Sequence, residues 1–104
     1  MKVYITRIIG LTRNPSLYGQ PGILKHIAEG VSPRGTLALA QAAQAMAWLS
    51  GHKLVEFKDV DSIAKDVLRH RIKLDDSAYL EHLTIDQIIE QLLSEAKKYV
   101  YEKY

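Results

Sequence analysis

A chain of 104 residues is one domain by size, with room for a single core. Apolar residues make up 47% of it and charged residues 25%, which excludes a disordered tail, and a net charge of +2 gives no general attraction to nucleic acid or to an anionic membrane. The absence of cysteine removes disulfides, thiolate nucleophiles and thiolate metal sites together.

The first segment, residues 3–13, fits two periods. Val3, Ile5 and Ile9 alternate, while Tyr4, Ile5, Ile8, Ile9 and Leu11 fall on one helical face; we read it as a helix. Thr6, Arg7 and Gly10 make it too polar and too short for a signal peptide or a membrane span, so a soluble, cytoplasmic chain is expected. "NPSLYGQPG", residues 14–22, holds two prolines and two glycines and reads as a loop. Ile23 to Glu29 then reads as a short helix, with Gly30 in the left-handed conformation that ends helices.

Ser32 followed by Pro33 is a helix start, since serine caps a free amide and proline at the first turn loses no needed donor. The helix is expected to run from Pro33 to about Ser50, closed by Gly51. Between Leu37 and Leu49 only Gln41 and Gln44 are polar, and alanine stands at 38, 40, 42, 43, 45 and 47. Such a helix belongs in the middle of a bundle, with Trp48 and Met46 in the core and the two glutamines on its less buried side. "HKLVEF", residues 52–57, reads as extended, Lys58 to Leu68 as a helix, and "RHRIKL", residues 69–74, as a strand able to pair with Lys53 to Val55. In the last helix Ile85, Ile88, Ile89, Leu92, Leu93 and Ala96 keep helical spacing, opened by a capping box of Thr84 and Gln87. "KKYVYEKY" reads as a frayed terminus. The fold class is mainly α, a small helical bundle with at most one short two-stranded β pair.

Arg34 sits just inside a helix start. There a guanidinium combines a planar cationic fork with free amides and the positive end of the helix dipole, an arrangement suited to phosphate. The competing reading is an ordinary exposed arginine, in a turn where cations are mildly unfavourable. Lys2, Arg7, Arg13, Lys25 and Arg34 face Glu29 alone in residues 1–34, so this part of the chain tolerates an anion. The adjacent Asp75 and Asp76 point different ways and make no magnesium site, and His26, His52, His70 and His82 lack metal-site spacing. No catalytic residue and no metal ligand is assigned.

The order of these elements and two short motifs resemble the C-terminal lid subdomain of MoxR-family AAA+ ATPases. The motifs are "GVSPRG", Gly30 to Gly35, leading into the alanine-rich helix, and "VLRHR", Val67 to Arg71, after a helix containing Asp59 and Val60. The likeness runs from about residue 3 to about residue 95, and a lid from a related AAA+ branch such as magnesium chelatase is a third reading of the same resemblance. The whole chain, 1–104, is then a single lid. The resemblance implies that Arg34 is the sensor 2 residue, contacting with Ser32 the phosphates of ATP held by a core absent from this chain. It also implies that Arg69, His70 and Arg71 brace the lid or touch a neighbouring subunit. It implies a ring of subunits, hexameric, with chaperone-like remodelling activity and von Willebrand A domain proteins as partners. The resemblance implies a small residue such as alanine at position 35, where this sequence has glycine, at a cost to the first turn on the order of 1 kcal/mol.

No G-x-x-x-x-G-K-[ST] occurs in the sequence, so ATP and magnesium are expected to bind the parent ATPase and not this chain alone, which is no enzyme by itself. The alternative function is an independent nucleic-acid binder using Arg7, Arg13, Arg69, Arg71 and Lys73, whose affinity would fall steeply with salt.

Overall fold

The computed structural model describes residues 2–16 and 22–103. In chain order these form α1 (Lys2–Arg13), a 3-10 turn (Gly22–His26), β1 (Ile27–Glu29), α2 (Pro33–Leu49), α3 (Phe57–Leu68), β2 (Lys73–Leu74), α4 (Asp76–Leu80) and α5 (Ile85–Lys103). The mainly helical architecture with one β pair is the one expected from the sequence. Of the loop placed at 14–22, residues 17–21 lie outside the described residues.

The ambiguous first segment is helical because its apolar side chains serve one face. Tyr4, Ile5, Ile8, Ile9 and Leu11 are all buried. Tyr4 meets Phe57 of α3 edge to face, with ring centroids 4.8 Å apart, and its hydroxyl donates to Asp61 Oδ1 at 2.5 Å. Lys97 of α5 pairs with the other oxygen of Asp61. The core is completed by Leu39 and Ala43 of α2, Val60, Ala64 and Leu68 of α3, and Ile88, Ile89, Leu92 and Ala96 of α5. The Thr84–Gln87 capping box is present, with Gln87 N donating to Thr84 Oγ1 at 3.2 Å and Thr84 N to Gln87 Oε1 at 2.8 Å.

Several expectations are corrected. Ile23 to Glu29 is a 3-10 turn followed by a strand, and β1 pairs antiparallel with β2 through Ile27 opposite Leu74 and Glu29 opposite Lys73. Lys53 to Val55 is irregular and takes no part in the sheet. The pairing goes to β1 because Ile27, Val31 and Ile72 are buried there, whereas Lys53 and Leu54 are exposed and give a strand no covered face. Residues 69–71 form a turn, and only Lys73 and Leu74 of "RHRIKL" are strand. Asp76 to Leu80 adds a short helix that the sequence reading did not contain, capped by Asp75, whose carboxylate accepts from Ala78 N at 3.0 Å. The tyrosine-rich ending, read as frayed, continues α5 as far as Lys103, and Tyr104 lies outside the described residues.

The largest correction concerns α2. It lies at the edge of the bundle, burying one stripe of Gly35, Leu39, Ala43 and Ala47 at four-residue spacing. Trp48 is 78% exposed and Leu49 72%, and Leu37 is also open, so Trp48 is no core residue. A helix of alanines has no strong polar face to show which side is covered, and the small buried stripe serves close approach to α3. Gln41 and Gln44 are exposed beside Trp48, as expected. Replacing Trp48 with glutamine should therefore leave this domain's stability within about 0.5 kcal/mol of the parent in a urea melt. A loss of several kcal/mol would place the indole in a core.

Candidate functional site

The first turn of α2 is built by its own sequence. Ser32, at φ −75° and ψ 168°, is the N-cap; its Oγ accepts from Gly35 N at 3.3 Å, and Pro33 opens the helix. No acidic residue lies in that turn. Arg34 is exposed and, among the described residues, makes no hydrogen bond or ion pair. Its guanidinium is thus free for an anion, and the Ser32 hydroxyl keeps its proton to donate.

The approach to this turn is held by the end of α1. Thr12 Oγ1 donates to Ile9 O at 2.7 Å and accepts from Val31 N at 3.0 Å, while Arg13 Nε donates to Val31 O at 2.9 Å. Both polar groups of the Val31 backbone are thereby fixed to one helix terminus. Gly30 packs on the same spot: a Cβ there would stand 2.6 Å from Thr12 O. Gly30 does not have positive φ, so the expected left-handed ending is replaced by a close backbone approach. Gly35 also has a packing role. Gly35 is buried, and a Cβ would stand 2.3 Å from Val31 Cγ1 and 3.0 Å from Arg71 Cδ, so glycine makes room for those side chains.

The basic cluster divides. Arg69 makes a forked pair with Asp86 of α5, Nε to Oδ1 at 3.0 Å and Nη2 to Oδ2 at 3.2 Å, and so braces α3 against α5. Arg71 turns back to donate from Nη1 to Val67 O at 2.8 Å, capping the last turn of α3. His70 is exposed between them, on a groove of about 660 Å³ lined also by Ile72, Leu74, Tyr79 and Leu83. Of the residues singled out from the sequence, Arg34, Ser32 and Arg71 come together at the start of α2, while Arg69 and His70 face elsewhere.

The hydrogen bond from Arg69, helped by its charge, outweighs partial desolvation and holds the Asp86 carboxyl below the ordinary carboxylate value. A lowered folded value means that the pair's stabilisation is fully present above about pH 3.9 and is lost as pH falls through the folded value. Thermal melts taken from about pH 5 down to about pH 2 should show the wild-type domain losing more stability than Asp86→Asn. Parallel curves would remove the brace.

Two polar clusters escaped the sequence reading. Buried His26 has Nδ1 3.0 Å from Asp75 Oδ1 and 2.8 Å from Ser77 Oγ, and its Nε2 pairs with Glu81, tying the 3-10 turn to α4. His52, Glu56 and Asp59 bring donor atoms within 4.8 Å of one another. A search for two histidines at helical spacing passes over this H-x-x-x-E-x-x-D pattern. Its donors are engaged in opening α3: Asp59 Oδ2 accepts from Glu56 N at 2.8 Å, and both Asp59 oxygens lie 2.9 Å from His52 Nδ1. Burial pushes the Asp59 carboxyl up, but the Glu56 amide and His52 outweigh it and leave the carboxyl below its ordinary value. The cluster is a helix cap.

No helix among the described residues is long and apolar enough to cross a membrane. Residues 25–92 match the family model described as the AAA lid domain. The chain is 32% identical over 90 residues to the chaperone MoxR1 of Mycobacterium tuberculosis, covering 86% of this chain and 24% of that protein. It is 36% identical over 78 residues to protein MoxR of Paracoccus denitrificans, covering 71% and 23%. A Cytophaga hutchinsonii crystal structure assigned as an ATPase superposes with a TM-score of 0.79 at 35% identity, over 88% of this chain and 28% of that one. The chain thus spans about a quarter of the length of the proteins it matches.

Proposed function

Because this chain belongs to the AAA lid domain family, with MoxR proteins among its relatives, we propose that it is the nucleotide-responsive lid of a MoxR-type AAA+ ATPase, residues 1–104 forming that one domain. The observation that carries this reading is Arg34: a guanidinium without a protein partner among the described residues, on a helix start that is capped, free of acidic side chains and held by its neighbours. In this role Arg34 acts as sensor 2. It contacts the phosphates of ATP bound to the core of the same protein, and Ser32 supplies a hydroxyl beside it.

The donor set fits a phosphate chain and does not fit a metal ion, since the first turn of α2 offers no carboxylate. In this reading magnesium and the ATP site belong to the core, which supplies the catalysis. ATP supplies the polyanion and the bond to be broken. Arg34 supplies charge stabilisation and a mechanical link, because drawing the guanidinium onto the phosphates draws α2 and the bundle behind it. Loss of the γ-phosphate releases that pull. Lid position then reports nucleotide state, and in a hexameric ring the report passes to the next subunit as chaperone-like remodelling. Neighbouring subunits and von Willebrand A domain proteins are the partners of this reading, and its setting is cytoplasmic. The open apolar side chains of α2, Leu37, Trp48 and Leu49, give the lid a face for the remainder of the ATPase.

The nucleic-acid reading finds less support. Among its basic residues, Arg13 is bonded to Val31 O, Arg69 to Asp86, Arg71 to Val67 O, and Lys73 lies 3.7 Å from Glu29.

Fluorophores on α5 of the lid and on the core of the full ATPase test the proposal through energy transfer. The signal should differ between ATP and ADP in the wild type and should not in Arg34→Ala. A nucleotide-dependent signal that persists in Arg34→Ala would overturn it.

A further inference from the structure

The Arg71 side chain has an unusual position. Its guanidinium is tied by Nη1 to Val67 O in the last turn of α3, 2.8 Å away. Its stem meanwhile lies across the residue that follows Arg34, with Cδ only 3.0 Å and Nε 3.6 Å from where a Cβ on Gly35 would stand. The absence of a Cβ at position 35 leaves room for that stem. Val31, whose backbone is held by Thr12 and Arg13, packs on the same turn, its Cγ1 2.3 Å from where that Cβ would stand.

We propose that Arg71 is a positioning residue for Arg34, locking the rotation of the first turn of α2 against the end of α3 and so fixing the direction in which the Arg34 guanidinium leaves the lid. This rests on the sensor 2 reading of Arg34. Successive helical residues project about 100° apart, so a small roll of the first turn swings a long side chain at position 34 through several ångströms at its tip. Arg71 opposes that roll without touching the nucleotide. Its stem fills the gap over Gly35, and its hydrogen bond to Val67 O keeps the stem from leaving. Arg34 then reaches phosphate with its orientation already set, and less ordering remains to be done on binding. A Cβ at position 35 would press on Val31 Cγ1 at 2.3 Å and on the Arg71 stem at 3.0 Å, so alanine there would disturb both side chains.

The test is a double-mutant cycle in the full ATPase, with kcat and KM for ATP measured for wild type, Arg34→Ala, Arg71→Ala and the pair. Arg71→Ala should lower kcat by about 10- to 100-fold, the range that small misplacement of a catalytic contact costs. The pair should be no worse than Arg34→Ala, since a residue that acts through Arg34 has nothing left to position. Arg71→Lys, which keeps the stem over Gly35, should recover most of the rate. Should Arg71→Ala fail to fold, Arg71→Met takes its place in the cycle. Wild-type kcat in the Arg71 variant, or losses that multiply in the pair, would overturn the inference while leaving the sensor 2 reading intact. Wild-type kcat in Arg34→Ala would overturn both.

Discussion

In the full ATPase, Arg34→Ala is expected to lower ATP turnover by about 100- to 1000-fold, the range seen when one preorganised donor to a developing anion is removed. The side chain is exposed and meets no described partner, so its loss should leave the melting temperature of the isolated lid unchanged. Activity and stability therefore separate at this position. Arg34→Lys should recover little of the rate, because an ammonium presents a point charge where the guanidinium presents a planar fork. Turnover within twofold of the wild type in the alanine variant would refute a phosphate contact.

Gly30→Ala should destabilise the domain by about 3 kcal/mol, at the upper end of the usual overpacking range, and lower its melting temperature by more than about 10 °C. The new Cβ would stand 2.6 Å from Thr12 O, 2.7 Å from Thr12 C and 3.0 Å from Arg13 N. These are backbone atoms of α1, and unlike the tip of a side chain they cannot rotate aside. Relief requires Val31 to move away from Thr12 Oγ1 and Arg13 Nε, which loosens the approach to Ser32 and Arg34. Gly30→Asn should be at least as damaging, because the larger side chain enters the same space. A left-handed residue would behave differently, tolerating asparagine better than alanine. Chemical denaturation of the two variants separates these cases, and asparagine proving the milder change would contradict the close approach.

The start of α2 was legible in the sequence because its signals are local. A serine cap and a proline at the first turn act within four residues, and the structure contains both. The capping box of α5 is local in the same way. The same local signals place Arg34 at the helix start, while its proposed role comes from the family resemblance. The environment of α2 was not legible. Its six alanines leave every direction around the axis nearly equivalent in hydrophobicity, so the covered stripe of Gly35, Leu39, Ala43 and Ala47 is chosen by the helices around it. Trp48 therefore ended up outside, against the expectation from its size alone.

The sequence by itself determined the four long helices α1, α2, α3 and α5, where α2 begins, and that this sequence carries no phosphate-cradling loop; each follows from caps, period or composition, which operate over a few residues. Tertiary structure decided the pairing of β1 with β2, the seating of Gly30 on Thr12, the passage of Arg71 over Gly35, and the separation of Arg69 and His70 from the start of α2. These contacts join residues from 18 to 47 positions apart in the chain. Which distant partner meets a given residue depends on how all the helices share one core, and no window of neighbouring residues holds that information.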